Sequence, residues 1–160
     1  MNTNVNVFEE FRQDHRQVRD SLLEIAGYLE SADIDKARGV LDRINKMVGP
    51  HFRFEEEDLY PALRIFLGEY VDQLLGEHDG AIGAAKVLVT LLGKDTITPE
   101  EGKEAAKAAR ALLVHVSNCD GLAILGERLP AQELTRLGAA LATSREAGVT
   151  LLDWAETIRK

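Results

Sequence analysis

Apolar residues recur at helical spacing in four successive segments of the chain, and each segment carries one histidine within its apolar stripe. Steps of three and four residues place such positions on one face of an α-helix. The first stripe consists of Phe8, Phe11, His15, Val18, Leu22, Ile25 and Leu29. The other three stripes contain His51, His78 and His115. This period, without strand-like alternation of useful length, predicts four long helices that each bury one face.

The connections between these segments are short. Residues 31–33 predict a turn that leads into an N-cap, and Thr98 with Pro99 is typical of an N-cap followed by a first helical position. Pro50 predicts a kink or a fresh helix start immediately before the second histidine. Helices joined by short links pack as antiparallel neighbours. We therefore expect an all-α fold, an up-down-up-down four-helix bundle.

A further helical segment follows Pro130. The apolar pattern continues there to the last residues and includes the only tryptophan, Trp154, which we expect to pack on the bundle or to form a dimer contact. The length of 160 residues suits one domain. The prediction is a single domain over residues 1–160, with a bundle core over about 8–128 and a C-terminal helical extension over about 130–160.

Composition limits the partners and the compartment. The net charge is -8, and such an acidic chain is a poor ligand for nucleic acid or for an anionic membrane surface. No stretch approaches the ~20 apolar residues of a membrane span, and residues 1–10 lack a signal-peptide pattern. The single cysteine, Cys119, cannot form an internal disulfide. We expect a cytoplasmic protein without nucleic-acid or membrane partners.

The four histidines lie on four different helices, and all four occupy inward positions. A lone histidine on an apolar face is usually a core residue hydrogen-bonded to a neighbour. Four buried imidazoles without partners would each cost free energy, whereas a shared metal removes that cost. Glu55 follows His51 by four residues, so both side chains lie on one helix face, one turn apart. A carboxylate on an inward stripe needs a partner, although Glu55 also belongs to an acidic run that a solvated face would explain.

Two residues of the fourth helix compete for the place beside its histidine. Cys119 lies four residues after His115 and shares its face, whereas Asp120 points ~140° away on an ideal helix. Gly121 follows at once and lowers the cost of a distortion that could turn Asp120 inward. A thiolate favours softer metals, and imidazole with carboxylate suits iron and manganese. Cys119 is alternatively a small apolar core residue.

These residues resemble the hemerythrin family, in particular its small bacterial members. The resemblance runs from about residue 15 to residue 130. Its most specific part is the HFRFEEEDLYP string. The motifs that carry it are His15 in QDHRQV, His51 to Glu55 in HFRFEEEDLYP, His78 in EHD and His115 in HVSNCD.

The resemblance implies a four-helix bundle that holds two non-haem irons, usually joined by an oxo or hydroxo bridge and two carboxylates. By this resemblance, His15 and His51 would bind one iron. His78 and His115 would bind the other, and Glu55 would bridge the two. The spacing HxxxxD makes Asp120 the expected second bridge, with Cys119 as the alternative.

Leu74 stands where oxygen-carrying hemerythrins have an additional histidine. The second iron is therefore expected to lack one protein ligand. Either the position stays open to water, peroxide or a small anion, or another side chain fills it, for which Tyr60 and Glu24 are candidates. Core packing for Tyr60 and a solvated surface for Glu24 are the simpler interpretations. The residues expected to form an apolar pocket around the site are Leu22, Ile25, Leu74, Ile82, Leu112 and Leu122.

An open position on reduced iron suits dioxygen, nitric oxide or peroxide. The first hypothesis is a di-iron protein that binds or senses one of these molecules, in a setting of oxidative or nitrosative stress. The second is a di-iron enzyme that detoxifies hydrogen peroxide, in a catalase-like or peroxidase-like reaction, or nitric oxide. The third is an iron-binding or interaction module without catalysis. The expected partner is the small molecule alone, with the protein a monomer or a weak homodimer.

Overall fold

Residues 6–159 are described by a computed structural model, and they form helices joined by turns, with no strand among them. The elements are α1 (Val7–Glu30), α2 (Ile34–Phe54), a π-helical turn (Glu55–Leu59), α3 (Tyr60–Leu67), α4 (Tyr70–Leu92), α5 (Pro99–Ala111), α6 (Leu113–Asp120), α7 (Leu122–Gly126), α8 (Ala131–Ala147) and α9 (Leu151–Ile158). Four rods result, because α2 continues through the π turn into α3, and α5, α6 and α7 follow one another. The all-α bundle expected from the sequence is confirmed.

Side-chain caps define where several helices begin. The Asp33 carboxylate accepts a hydrogen bond from the Lys36 N–H at the start of α2, and Thr98 accepts one from the Glu101 N–H at the start of α5. Both caps satisfy N–H groups that have no partner inside the helix. At the other end of the chain, Gly148 adopts a φ of 59° and ends α8, a left-handed conformation that glycine adopts at little cost.

The expected break before the second histidine does not occur. Helix α2 runs through Pro50 without interruption, although an internal proline removes one backbone hydrogen bond. The Ser144 hydroxyl donates a 2.7 Å hydrogen bond to the Pro50 carbonyl, which connects α8 to α2 at this point. The irregularity comes later, where the Tyr60 N–H bonds to the Glu55 carbonyl and closes a π turn. Such turns occur frequently at functional sites.

Apolar clusters surround the histidines on several sides and exclude water from the middle of the bundle. One cluster includes Phe11, Phe54, Leu63, Leu74 and Leu137. A second includes Ile25, Leu29, Val40, Leu92 and Ala106. A third includes Val48, Phe52, Ile82, Leu151 and Trp154. Trp154 of the C-terminal extension is thus a core residue, and α8 and α9 both pack on α2.

Among the described residues, one helical stretch, Pro99–Gly126, is long and apolar enough to cross a membrane by length and composition alone. This stretch comprises α5, α6 and α7, and it packs along α1. Core helices of folded bundles meet the same criteria, so the stretch is weak evidence for a membrane span.

Candidate metal centre

Glu55 lies in the middle of the bundle, in the π turn that follows α2. Its side chain is fully buried, and its two oxygens face different helices. Oε1 lies 3.0 Å from Nε2 of His51 and 3.7 Å from Nε2 of His15. Oε2 lies 2.9 Å from Nε2 of His78. One carboxylate therefore lies between histidines of α1, α2 and α4, where a ligand shared by two cations would lie.

Two imidazole nitrogens face each other beside this carboxylate. Nε2 of His15 and Nε2 of His51 lie 3.1 Å apart, so at least one of them presents its lone pair to the space between the rings. Burial lowers the pKa of His51, but Glu55 and then Asp14 raise it more strongly, to about 10. The two carboxylates therefore favour the protonated form of His51 in the metal-free protein. A metal cation can take the place of that proton.

The outer nitrogen of each histidine faces a carboxylate. The four distances from Nδ1 are 3.0 Å for His15 to Asp120, 3.0 Å for His51 to Asp14, 3.6 Å for His78 to Glu56, and 2.7 Å for His115 to Glu77. A carboxylate on Nδ1 keeps the proton there and leaves Nε2 free to bind metal, as in carboxylate–histidine–metal arrangements. The contacts of His15, His51 and His115 are within hydrogen-bond distance, whereas Glu56 only faces His78. All four histidines direct the other ring nitrogen away from these carboxylates.

The carboxylates follow the order of the rods. Asp14 of α1 contacts His51 of α2, and Glu56 of the π turn faces His78 of α4. Glu77 of α4 contacts His115 of α6, and Asp120 of α6 contacts His15 of α1. Each rod therefore supplies one histidine and one outer carboxylate, and that carboxylate faces the outer nitrogen of the next rod's histidine in a closed ring.

A second group of potential ligands adjoins Glu55 on the side of α6. Cys119 is fully buried, and its thiol donates a 2.6 Å hydrogen bond to Oε1 of Glu55. Sγ of Cys119, a nitrogen of His115 and an oxygen of Glu55 lie within 4.8 Å of one another. The Tyr60 hydroxyl lies 3.1 Å from Nε2 of His78 and 3.4 Å from Sγ of Cys119. A phenol and a thiol therefore contact the inner ligands directly.

The residue expected to be the second bridge lies elsewhere. The Asp120 carboxylate is 47% exposed and contacts the outer nitrogen of His15. Helix α6 ends at Gly121, whose backbone stays in the right-handed helical region. Cys119, not Asp120, lies on the inner face beside Glu55. In this arrangement Asp120 orients a histidine.

One of the two residues considered for the place of the missing ligand at Leu74 contacts the site. Leu74 is fully buried in the same apolar cluster as Tyr60, and the Tyr60 hydroxyl reaches the inner nitrogen of His78. Glu24, the other candidate, lies at the surface and pairs with Arg43. Of the two residues considered from the sequence, only Tyr60 contacts the site.

In the metal-free site the charge of Glu55 is paired with protonated His51, but the same charge opposes ionisation of Cys119 and Tyr60. Burial raises the pKa of Glu55, but His51 and the neighbouring histidines hold it well below its usual range, so Glu55 carries a charge. Burial and then the Glu55 charge raise the pKa of the Cys119 thiol well above normal. The same two causes raise the pKa of Tyr60. A cation at the centre would reverse this repulsion and allow either group to ionise.

The donor set fits a metal cation. Imidazole nitrogens and a carboxylate are the ligands that iron and manganese favour, and one thiol alone does not make a soft-metal site. Among the described residues, Oε2 of Glu55 and Nδ1 of His78 are buried without a hydrogen-bond partner. Buried polar atoms seldom lack partners, and a metal bound to His78 and Glu55 would give the orphaned carboxylate oxygen its partner.

An apolar cavity adjoins the site on the side of His115. Its volume is about 60 Å³, and His115 is its only ionisable lining residue among those described. Three of the expected pocket residues, Leu22, Ile25 and Leu112, line it. Leu74 and Leu122 lie instead in the cluster beside Tyr60. Phe52 lines the cavity and stacks on the ring of His78 at a centroid distance of 3.7 Å.

Sequence reasoning did not identify the orienting carboxylates Asp14, Glu56 and Glu77. A signal was present, because each is adjacent in sequence to a residue of the inner set. Each of them, however, contacts a histidine on a different helix. Adjacency in sequence shows at which height along the bundle a carboxylate lies. It does not show which histidine the carboxylate contacts, because that depends on how neighbouring helices are rotated.

A known protein family matches most of the chain. The family model of the hemerythrin HHE cation-binding domain matches residues 6–121 of the chain. No curated protein and no solved structure matched the chain. The match covers more than half of the chain and includes all four histidines and Glu55. The chain therefore belongs to the hemerythrin family and contains an HHE cation-binding domain.

Proposed function

We propose that the chain is a non-haem di-iron protein that binds or senses dioxygen, nitric oxide or peroxide. In this proposal His15 and His51 hold one iron, His78 and His115 hold the other, and Glu55 bridges them. The observation that carries the proposal is the position of Glu55. Its two buried oxygens face histidines on opposite sides, at 3.0 and 2.9 Å.

The inner position of α6 is assigned to Cys119. Its Sγ lies 2.6 Å from Glu55, whereas Asp120 contacts the outer nitrogen of His15. We therefore propose Cys119 as the group beside the bridge and Asp120 as the residue that orients His15. The number of irons and the metal itself are part of the proposal, and so are the cytoplasmic location and the absence of macromolecular partners.

Reduced iron with an open coordination position would supply the binding of dioxygen, nitric oxide or peroxide. The protein's own residues would decide which position is open. Tyr60 supports an open position on the iron held by His78 and His115. Its hydroxyl can donate a hydrogen bond to Nε2 of His78, and a small ligand could displace it there. The apolar cavity beside His115 supports the same position, since it favours a small uncharged molecule over water.

Ligand exposure of the reduced protein tests this proposal. The iron-loaded, reduced chain would be exposed in turn to dioxygen, nitric oxide and hydrogen peroxide while its visible spectrum is recorded. A spectral change that reverses when the gas is removed supports a binder or sensor. Sustained release of oxygen from hydrogen peroxide would mean that the protein is an enzyme, and an iron-loaded protein that responds to none of the three would contradict the proposal.

A further inference from the structure

We propose that two arginines of the C-terminal segment, Arg145 and Arg159, are positioning residues of the metal centre. Both lie beyond residues 6–121, the part that matches the family. Each binds the carboxylate that faces the outer nitrogen of one histidine, His51 or His78, and the two histidines lie on opposite sides of Glu55. The inference rests on the proposed metal site. It adds that the C-terminal extension strengthens metal binding at that site through these two arginines.

Arg145 reaches the first side through Asp14. Its Nη2 donates a 2.8 Å hydrogen bond to Oδ1 of Asp14, and the other oxygen, Oδ2, lies 3.0 Å from Nδ1 of His51. Its Nη1 donates to Glu10 at 2.6 Å. Asp14 therefore bridges a guanidinium and an imidazole with its two oxygens, and the guanidinium is held by a second carboxylate.

Arg159 makes a looser connection on the other side, where Glu56 faces His78 beyond hydrogen-bond distance. Its Nη2 donates a 2.7 Å hydrogen bond to Oε1 of Glu56, and Oε2 of that residue faces Nδ1 of His78 at 3.6 Å. Its Nε donates to Asp79. The guanidinium also lies over the ring of Trp154, 5.4 Å from the centroid, a cation–π contact with a buried aromatic residue.

The packing of the extension fixes where both arginines lie. Ser144 bonds to the Pro50 carbonyl, so the residues that precede Arg145 and His51 contact each other. A Cβ on Gly49 would lie 2.1 Å from the Val149 carbonyl oxygen, so α2 and the connection before α9 touch through backbone atoms. These contacts give the extension one register on the bundle, and the arginines meet their carboxylates as a consequence.

A guanidinium stabilises a buried carboxylate in one orientation through charge-assisted hydrogen bonds. Without it, Asp14 or Glu56 can rotate or take up water, and the histidine that it orients loses its fixed direction. Loss of an outer partner typically costs 10- to 100-fold in metal affinity. Each arginine contacts the carboxylate and not the histidine itself. The expected loss of metal affinity is therefore near the lower end of this range, about tenfold.

The test is ferrous iron affinity, measured by anaerobic titration of the metal-free full-length chain. The variants are Arg145→Gln and Arg159→Gln. Arg136→Gln is the matched control, because Arg136 also lies on α8 but pairs with Asp58 and Glu133, which contact no histidine. We expect about tenfold weaker binding in each of the two variants and unchanged binding in the control. Equal affinity in all three variants would overturn the inference.

A double-mutant comparison separates positioning from general stability. Arg145→Gln and Asp14→Asn should give losses of affinity that do not add, because both act through His51. Arg145→Gln and Glu56→Gln should give losses that add. Additive losses in both pairs would contradict the inference. If a glutamine variant does not fold, as judged by circular dichroism of the metal-free chain, Arg145→Lys replaces it, with a smaller loss expected because lysine keeps the charge.

The failure of this inference is distinguishable from failure of the proposed function. A wild-type chain that binds no iron overturns both. A wild-type chain that binds two irons, with arginine variants that bind them equally well, overturns only the role of the extension.

Discussion

The Nε2 atoms of His15 and His51 lie 3.1 Å apart, and Oε1 of Glu55 lies within 3.7 Å of both. Each ring is fixed from outside, His15 by Asp120 and His51 by Asp14. The two rings therefore cannot turn away from each other without losing these hydrogen bonds. The fold itself holds the inner nitrogens together, and the predictions below depend on this arrangement.

Replacement of His51 by alanine should remove iron from the protein. The ring supplies one inner nitrogen, and the free energy of metal binding contributes to the free energy of folding. We expect iron content to fall by at least one atom per chain and the iron-dependent rise in Tm to shrink. Elemental analysis and thermal unfolding with and without iron measure both effects. A variant with full iron content and the wild-type Tm would show that the site is misassigned.

Cys119→Ala should change the visible spectrum of the ferric protein more than Asp120→Ala does. The thiol contacts the bridging carboxylate, whereas Asp120 contacts only the outer nitrogen of His15. Asp120→Ala should instead weaken iron binding by about tenfold and leave the band positions in place. The opposite order of spectral effects would return Asp120 to the bridging position.

Tyr60→Phe should change the environment of His78 without unfolding the bundle. The substitution removes only the hydroxyl that contacts Nε2 of His78 and Sγ of Cys119, and the ring keeps its apolar packing. If the hydroxyl binds ferric iron, its visible charge-transfer band should disappear in the variant. Absorption and resonance Raman spectra of both proteins test this. Identical spectra would leave Tyr60 with a role in packing alone.

The metal-free protein should lose stability as the pH rises from about 6.5 to about 10. The pKa of His51 is raised to about 10 in the folded chain, above the ~6.5 of an unfolded one. Folding therefore favours the protonated ring, and its contribution is complete below pH ~6.5 and lost above pH ~10. Urea unfolding across this range measures the change. His51→Gln should show a shallower dependence, and an equal slope in both proteins would contradict the assignment.

Gly49→Ala should weaken the attachment of the C-terminal extension. The added Cβ would meet the backbone of residues 149–151, with the nearest atom at 2.1 Å, and overpacking of this kind costs about 1–3 kcal/mol. Gly27→Ala is the matched control, because it adds the same group on α1 where nothing lies within 4 Å. Urea unfolding should show the first variant destabilised and the second unchanged or slightly stabilised. Equal stabilities would mean that the extension does not pack closely at Gly49.

The sequence predicts the inward histidines well because a helical period determines which residues share a face. His51 and Glu55 are an example, since their spacing of four places them together whatever the neighbours do. The period does not determine how far one helix is rotated against the next. The contact of Asp14 with His51, across two helices, depends on that rotation and could not be read from spacing.

Local distortions of the helices also limit what the sequence can predict. The π turn that begins at Glu55 was not expected, and the fresh helix start that Pro50 allows is absent. Both residues are buried, and at such positions tertiary contacts can override the local preference of the chain. The choice between Cys119 and Asp120 has the same origin, because a small change in helix twist exchanges the inner and outer residue.

Metal content together with the visible absorption spectrum tests the central claim most directly. The protein would be loaded with iron, freed of excess metal and analysed for iron, manganese and zinc per chain. We predict two irons per chain and absorption bands of bridged ferric iron; in His51→Ala at least one iron and the bridged bands should be lost. A chain that holds no iron, or a single zinc ion without such bands, would contradict this prediction.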